Sequence, residues 1–231
     1  MFGEAVESAA RADALSRFPR ESCGIVVGGA YHAIENVAAD PGNHFEMPEG
    51  SWTDHPGIEA VIHSHGPQYL LAPSADDMRH QIATAVPWGI TRCDGVAASP
   101  VLWFGDCRLD DPLVGRDFVH GVTDCYAIIR SWYWQSRQIK LPEFPRDPDW
   151  WSRGGDLYND GFGAAGFRVI PATDAVTGDV PLINFRSSVP NHAGVLLDGG
   201  LLLHHLMGRK SVREPVGRWV PMVTKWLRYE G

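Results

Sequence analysis

The stretch HSHGPQYLLAPSADD, residues 63–77, sets two histidines one residue apart and follows them, after a spacer, with a serine and a pair of aspartates. The run EAVIHSH that contains the histidines reads as a strand. Side chains in a strand alternate faces, so His63 and His65 point one way while Ile62 and Ser64 point the other. Two imidazoles whose Cβ atoms lie about 7 Å apart can converge on one ion. SADDMRHQIATAV reads as a helix with Asp77 in its first turn, where the turn from strand to helix can swing its carboxylate back over the histidines. SxxD is equally a helix start, with Ser74 as N-cap and Asp77 supporting the positive end of the helix dipole. Taken alone it favours the cap. HxH alone is also common in surface strands, so the residues leave two readings open, a helix cap or a metal site of two histidines and one carboxylate with the fourth tetrahedral position open for hydrolytic chemistry.

Working outward, MFGEAVESAARADALSRF reads as an amphipathic helix and PRESCGIVVGGAYHAIENVA as two strands joined across Gly28 and Gly29. GVAASPVLWFG reads as a closing strand. Residues 107–115 are acidic, poor in apolar periodicity and contain Pro112, which makes them the expected linker between a domain at 1–106 and a second at 116–231. Beyond the linker, DCYAIIRSWYWQSRQ has helical spacing, KLPEFPRDPDWW is a proline-broken loop, and SVPNHAGVLLDGGLLLHHL is a hairpin turning at DGG. PVGRWVPMVTKWLRYE supplies a last strand or short helix. The expected class is α+β in two domains.

The chain has 231 residues, 44% of them apolar and 21% charged, which suits folded domains rather than disorder. A net charge of −8 argues against a wide phosphate-binding face, so nucleic acid is not an expected partner. No apolar run reaches the roughly 20 residues of a membrane span. The N-terminus lacks the basic flank and apolar core of a signal peptide, which predicts synthesis and folding in a cytoplasm. Cys23, Cys93, Cys107 and Cys125 form no CxxC pair and read as mostly buried thiols.

Cys125 is the exception. It opens the helix after GVTD, with Thr123 or Asp124 as cap, where the helix dipole favours thiolate. In NHAGVLLDGGLLLHHL, His192 opens one strand and His204 or His205 closes the next, so pairing about the turn brings one of them near His192. A turn of two or of three residues places His204 on opposite faces. His44, His55, His80 and His120 have no patterned partner and read as surface or loop histidines.

With an upstream glutamate in PRESCG, then HSHG and SADD, the first half resembles the JAMM (JAB1/MPN/Mov34) metalloproteases, although Gly66 stands where that family usually has proline. The resemblance implies an MPN-like mixed sheet with flanking helices, Zn2+ held by His63, His65 and Asp77, Glu21 as the base that takes a proton from water, and Ser74 at the oxyanion. Glu46 and Glu49 compete with Glu21 but sit in a loop-like stretch. The second half resembles the papain-like NlpC/P60 cysteine peptidases, which implies Cys125 as nucleophile, His192 as base and His204 as the residue that orients it; Ala127 replaces the glycine often found two positions after the cysteine. The two in this order, with the ending GRKSVREPVGRW, resemble the phage tail assembly protein K family. That resemblance implies a peptidoglycan peptide hydrolase carrying a second zinc-dependent peptidase or isopeptidase site. Such a chain would be assembled with other phage tail-tip proteins in the host cytoplasm and carried at the virion tail tip. The alternative is a structural tail-tip assembly factor whose sites are inactive or blocked.

Overall fold

The structure, a computed structural model, describes residues 1–231. Helix α1 (Glu4–Arg17) carries Glu4 and Glu7 in its first turn and Arg17 in its last, charges that complement the helix dipole at both ends. Its small apolar side lets it lie close on a sheet: Val6 and Ala10 pack against Val26, Ala60, Ile62 and Trp103. That sheet contains β1 (Cys23–Val27), β2 (Ala30–Ile34), β3 (Ile58–His65), β4 (Trp88–Arg92) and β5 (Leu102–Phe104), in the order β2-β1-β3-β4-β5. Gly28 and Gly29, at φ of 56° and 71°, make the tight β1–β2 turn, a left-handed conformation that glycine adopts without strain.

Strand β3 is central. It pairs antiparallel with β1, with Cys23 opposite His63, and parallel with β4, with His63 opposite Ile90. A parallel pair needs a crossover connection, and helix α2 (Ala75–Thr84) lies within it. The last six residues of β3 are buried, as expected of a strand covered on both faces. Two expectations need correction here. The sequence reading has no strand at β4, whose five residues are too short for periodicity to mark. The closing strand expected over 95–105 is only β5, because Gly95 takes a φ of 86° and Pro100 cannot donate to a ladder.

The second half contains α3 (Cys125–Arg137), α4 (Leu157–Gly161) and an antiparallel six-stranded sheet. Its strands are β6 (Phe167–Ile170), β7 (Val180–Ile183), β8 (His192–Leu197), β9 (Leu201–His204), β10 (Val212–Pro215) and β11 (Val223–Tyr229), in the order β10-β9-β8-β7-β11-β6. Ile128, Ile129, Trp132 and Tyr133 of α3 pack on Val180, Leu182, Ala193, Val195, Leu203 and Leu227, which fixes the start of the helix over the middle of the sheet. Truncating Ile128 to alanine there would cost about 2–5 kcal/mol. Strands β6 and β7 and helix α4 are absent from the sequence reading; each has five residues or fewer.

The class is mixed α+β, as the sequence predicts. The chain forms two compact units, Met1–Pro73 with Arg79–Cys107, and Ser74–Met78 with Arg108–Gly231. No helix is long and apolar enough to cross a membrane.

Candidate functional site

Strand alternation puts both histidines of β3 on one face, and their Nε2 atoms lie 3.1 Å apart. Ligand atoms of His63, His65 and Asp77 all fall within 4.8 Å of one another. Two ligands about 2.1 Å from a tetrahedral ion sit about 3.4 Å apart, so this donor set fits zinc with little closure. Phe45 stacks on the His63 ring at 4.6 Å, Trp88 meets its edge at 5.8 Å, and Tyr69 lies 5.8 Å from His65. These apolar walls restrict the imidazoles to a few orientations.

The helix-cap reading of SxxD is what the hydrogen bonds show, and it leaves Asp77 within reach of the histidines. The Ser74 backbone N–H and hydroxyl both donate to Asp77 Oδ2, at 2.8 and 2.7 Å, and the Asp77 N–H donates to Ser74 Oγ at 3.1 Å. This reciprocal capping box fixes the Asp77 rotamer. Glu21 precedes β1 and is 5% exposed. Carrying the Cys23–His63 register two residues further sets it beside His65, on the same sheet face as both histidines.

In the second half, Asp124 is the N-cap of α3, and its Oδ1 accepts from the N–H groups of Tyr126 and Ala127 at 3.1 and 3.0 Å. Its Oδ2 accepts from the Gly121 N–H at 2.8 Å and from Arg146 Nε at 2.7 Å. Burial alone would push this carboxyl up, but the Arg146 guanidinium and the Ala127 N–H hold it well below the usual range. Cys125, the first helical residue, is thereby fixed in place. Its thiol is 3.2 Å from the Tyr158 hydroxyl and also has a backbone hydrogen bond with Ala193, the neighbour of His192.

Cys125 and His192 line one cavity of about 390 Å³, together with Phe118, Tyr158, Phe162 and Arg186. His120, read from sequence as a surface or loop histidine, also reaches this wall, with Nε2 3.0 Å from the Arg146 carbonyl. The turn of the β8–β9 hairpin has three residues, Asp198–Gly200, which sets Gly194 opposite His204. His192, two residues from Gly194, therefore shares a face with His204, and His192 Nε2 lies 3.0 Å from His204 Nδ1. His205, the next residue, also lines the cavity, with Nε2 3.1 Å from the Arg209 carbonyl.

The electrostatics of this pair differ from the sequence expectation. The Cys125 thiol is pushed up to about 11, by burial first and then by the Asp124 carboxylate. Tyr158, Arg146 and the Ala193 backbone oppose this without reversing it. Burial pushes His192 down to about 3, with the neighbouring His204 and His205 adding to the effect. At neutral pH the cavity therefore holds a neutral thiol and a neutral imidazole, and the helix terminus does not win against desolvation.

Three neighbours escape the residue-by-residue reading. Tyr158 sits in a helix of five residues, with no motif to mark it. Glu214 accepts from Trp219 Nε1 at 2.8 Å, and its Oε1 is 3.1 Å from His204 Nε2. Both residues lie within GRKSVREPVGRW, so the signal was present in that ending without a geometry to interpret it.

Residues 3–106 match the model for prokaryotic homologs of the JAB domain, and residues 115–226 match the NlpC/P60 family. The chain is 32% identical over 235 residues to "Tail tip assembly protein K" of Escherichia phage N15, covering 95% of this chain and 92% of that protein. It is 41% identical over 157 residues to "Tail tip assembly protein K" of Escherichia phage lambda, covering 68% of this chain and 74% of that protein. With a JAB-type half that carries two strand histidines and a helix-borne aspartate, followed by an NlpC/P60 half whose helix-start cysteine and strand histidine line one cavity, this chain belongs to the tail tip assembly protein K family.

Proposed function

We propose that this chain is a phage tail-tip component that hydrolyses peptide bonds in peptidoglycan stem peptides. The observation that carries the reading is the cavity shared by Cys125 and His192, with His204 behind His192 at 3.0 Å. His192 takes the thiol proton as sulfur attacks the peptide carbonyl, then returns it to the leaving amine. Water attacks the resulting thioester with His192 again as base, which releases the acid and restores the thiol. His204 holds the His192 ring in place through both steps.

The first half is a second hydrolytic site, for a peptide or isopeptide bond. His63, His65 and Asp77 would hold Zn2+, which when bound supplies a Lewis acid that lowers the pKa of water to about 7. Glu21 would take a proton from water and deliver it to the leaving amine, and Ser74 would hold Asp77 and stand near the oxyanion. Assembly with other tail-tip proteins and carriage at the virion tip accord with relatives called tail tip assembly proteins, and synthesis in the host cytoplasm is the step that precedes them. Local opening of the wall during DNA delivery is the role that joins these activities.

A second reading, a structural assembly factor with blocked sites, draws on the Tyr158 hydroxyl 3.2 Å from the thiol and on the raised thiol pKa. Digestion of purified sacculi separates the two. The peptidase reading expects soluble peptide fragments from the wild type and none from Cys125→Ala; equal release by both proteins removes Cys125 from the chemistry, and none from either favours the assembly role.

A further inference from the structure

Behind the two histidines stands a third polar group. Val212 of β10 pairs with His204 of β9, and Glu214, two residues on, projects from the same face. Its Oε1 lies 3.1 Å from His204 Nε2 and accepts from Trp219 Nε1 at 2.8 Å, while its Oε2 accepts from Arg218 at 3.1 Å. The Trp219 ring covers both imidazoles, with centroids 4.7 Å from His204 and 5.3 Å from His192. The His204 side chain is 3% exposed and that of Glu214 18%, so this chain of contacts is largely shielded from solvent.

We propose that Glu214 is a positioning residue that dictates on which nitrogen His192 carries its proton. An ionised carboxylate can only accept, so the facing His204 Nε2 must be the protonated nitrogen. In a neutral ring the other nitrogen, His204 Nδ1, is then an acceptor. It faces His192 Nε2 at 3.0 Å, which must in turn be the donor. The proton of neutral His192 is thereby placed on Nε2, and Nδ1 is left with the lone pair that a base needs. With the opposite arrangement, His192 would carry its proton on Nδ1 and could accept nothing there.

The same chain acts once the reaction begins. When His192 takes the thiol proton it becomes a cation, and the Glu214 charge is connected to it through one polarised imidazole in a largely shielded channel. The ionised state assumed for Glu214 agrees with its surroundings: burial would raise its pKa, but the Trp219 N–H, His204 and Arg218 together lower it.

This inference rests on the reading of Cys125 and His192 as the reacting pair, yet one of its tests does not depend on turnover. Long-range 1H–15N correlation spectra of the full chain, with 15N-labelled histidine at pH 7, should show His192 and His204 both protonated at Nε2. Glu214→Gln should keep that pattern, because the indole N–H of Trp219 is donor-only and holds the amide oxygen in the Oε1 position. Glu214→Leu should lose it, with Nδ1–H signal appearing on His192. On sacculi, kcat should fall about tenfold for the Gln variant and about a hundredfold for the Leu variant with KM little changed, since the lost terms act on proton transfer and not on binding. Should the Leu variant fail to fold, the wild-type and Gln spectra still decide the matter. Nδ1–H on His192 in the wild type or in Glu214→Gln, or an unchanged Nε2–H pattern in a folded Glu214→Leu, overturns the proposal. A wild type with both rings at Nε2–H that releases no fragments upholds the proton placement while defeating the peptidase reading.

Discussion

His192 Nε2 sits 3.0 Å from His204 Nδ1 because three residues, and not two, turn the hairpin between them. One residue fewer would set His204 opposite Ala193 and send its ring to the other face of the sheet. Gly199 and Gly200 carry φ of 73° and 68°, values that few other residues sustain, so the turn length is fixed by their sequence. His204→Ala is expected to lower fragment release from sacculi about a hundredfold while leaving the circular dichroism spectrum unchanged. Wild-type rates in that variant would show that the pair is not a catalytic unit.

The raised thiol pKa makes a prediction about reactivity. With Cys125 near 11, iodoacetamide should modify it slowly at pH 7, and the rate should climb with pH through the alkaline range. Asp124→Asn removes the nearest negative charge and should bring that climb to lower pH. The same change leaves Arg146 with only Glu143 as a carboxylate partner and weakens the cap, at a cost of about 3 kcal/mol in unfolding free energy. Mass spectrometry of the labelled peptide reads the first effect and urea unfolding the second. A plateau reached below pH 8 in the wild type would contradict the neutral-pair description.

His192 also imposes a pH dependence on stability. Its folded pKa is depressed from 6.5 to about 3, so below 6.5 the unfolded chain binds a proton that the folded protein refuses. Stability is therefore unaffected by this group above 6.5, falls as pH drops through the window from 6.5 to about 3, and levels below it. His204 and His205 are lowered too, again chiefly by burial, and act in the same direction. Each imidazole contributes about 1.4 kcal/mol per pH unit while it is neutral only in the fold. Urea midpoints measured at pH 7 and 4.5 should differ less in His192→Gln than in the wild type.

At the other site, the expected outcome is about one zinc per chain by elemental analysis, absent from a His63→Ala and His65→Ala double variant. Zinc should raise the melting temperature of chelator-treated wild type. Ser74→Ala removes one side of the capping box, costing about 1 kcal/mol of stability, and should weaken zinc binding because Asp77 loses the partner that fixes its rotamer. A metal-free wild type that ignores added zinc would dispose of the donor set as a metal centre.

Legibility from sequence varied with the kind of signal. The alternation in EAVIHSH places both histidines on one face without any knowledge of the sheet, and SADD marks a helix start by its capping chemistry alone. Local rules also place Asp124 and Cys125 at the head of a helix. What local rules could not supply was depth. The helix dipole argues for a thiolate at Cys125, but the burial of that thiol and the ionised Asp124 beside it are products of tertiary packing, and they decide the outcome. Short elements were lost for a different reason: β4, β6 and β7 have four or five residues each, too few to separate a strand from an apolar loop. Glu214 was visible as a letter in a motif, and only the diagonal across β9 and β10 gives it a task.

The Ser74–Asp77 box has one more effect, on denticity. With Oδ2 committed to a hydroxyl and a main-chain amide, Asp77 would meet a cation end-on through a single oxygen and could not chelate it with both. Two imidazoles and one monodentate carboxylate would leave a tetrahedral ion one open position, so a motif that starts a helix would also reserve room for a substrate.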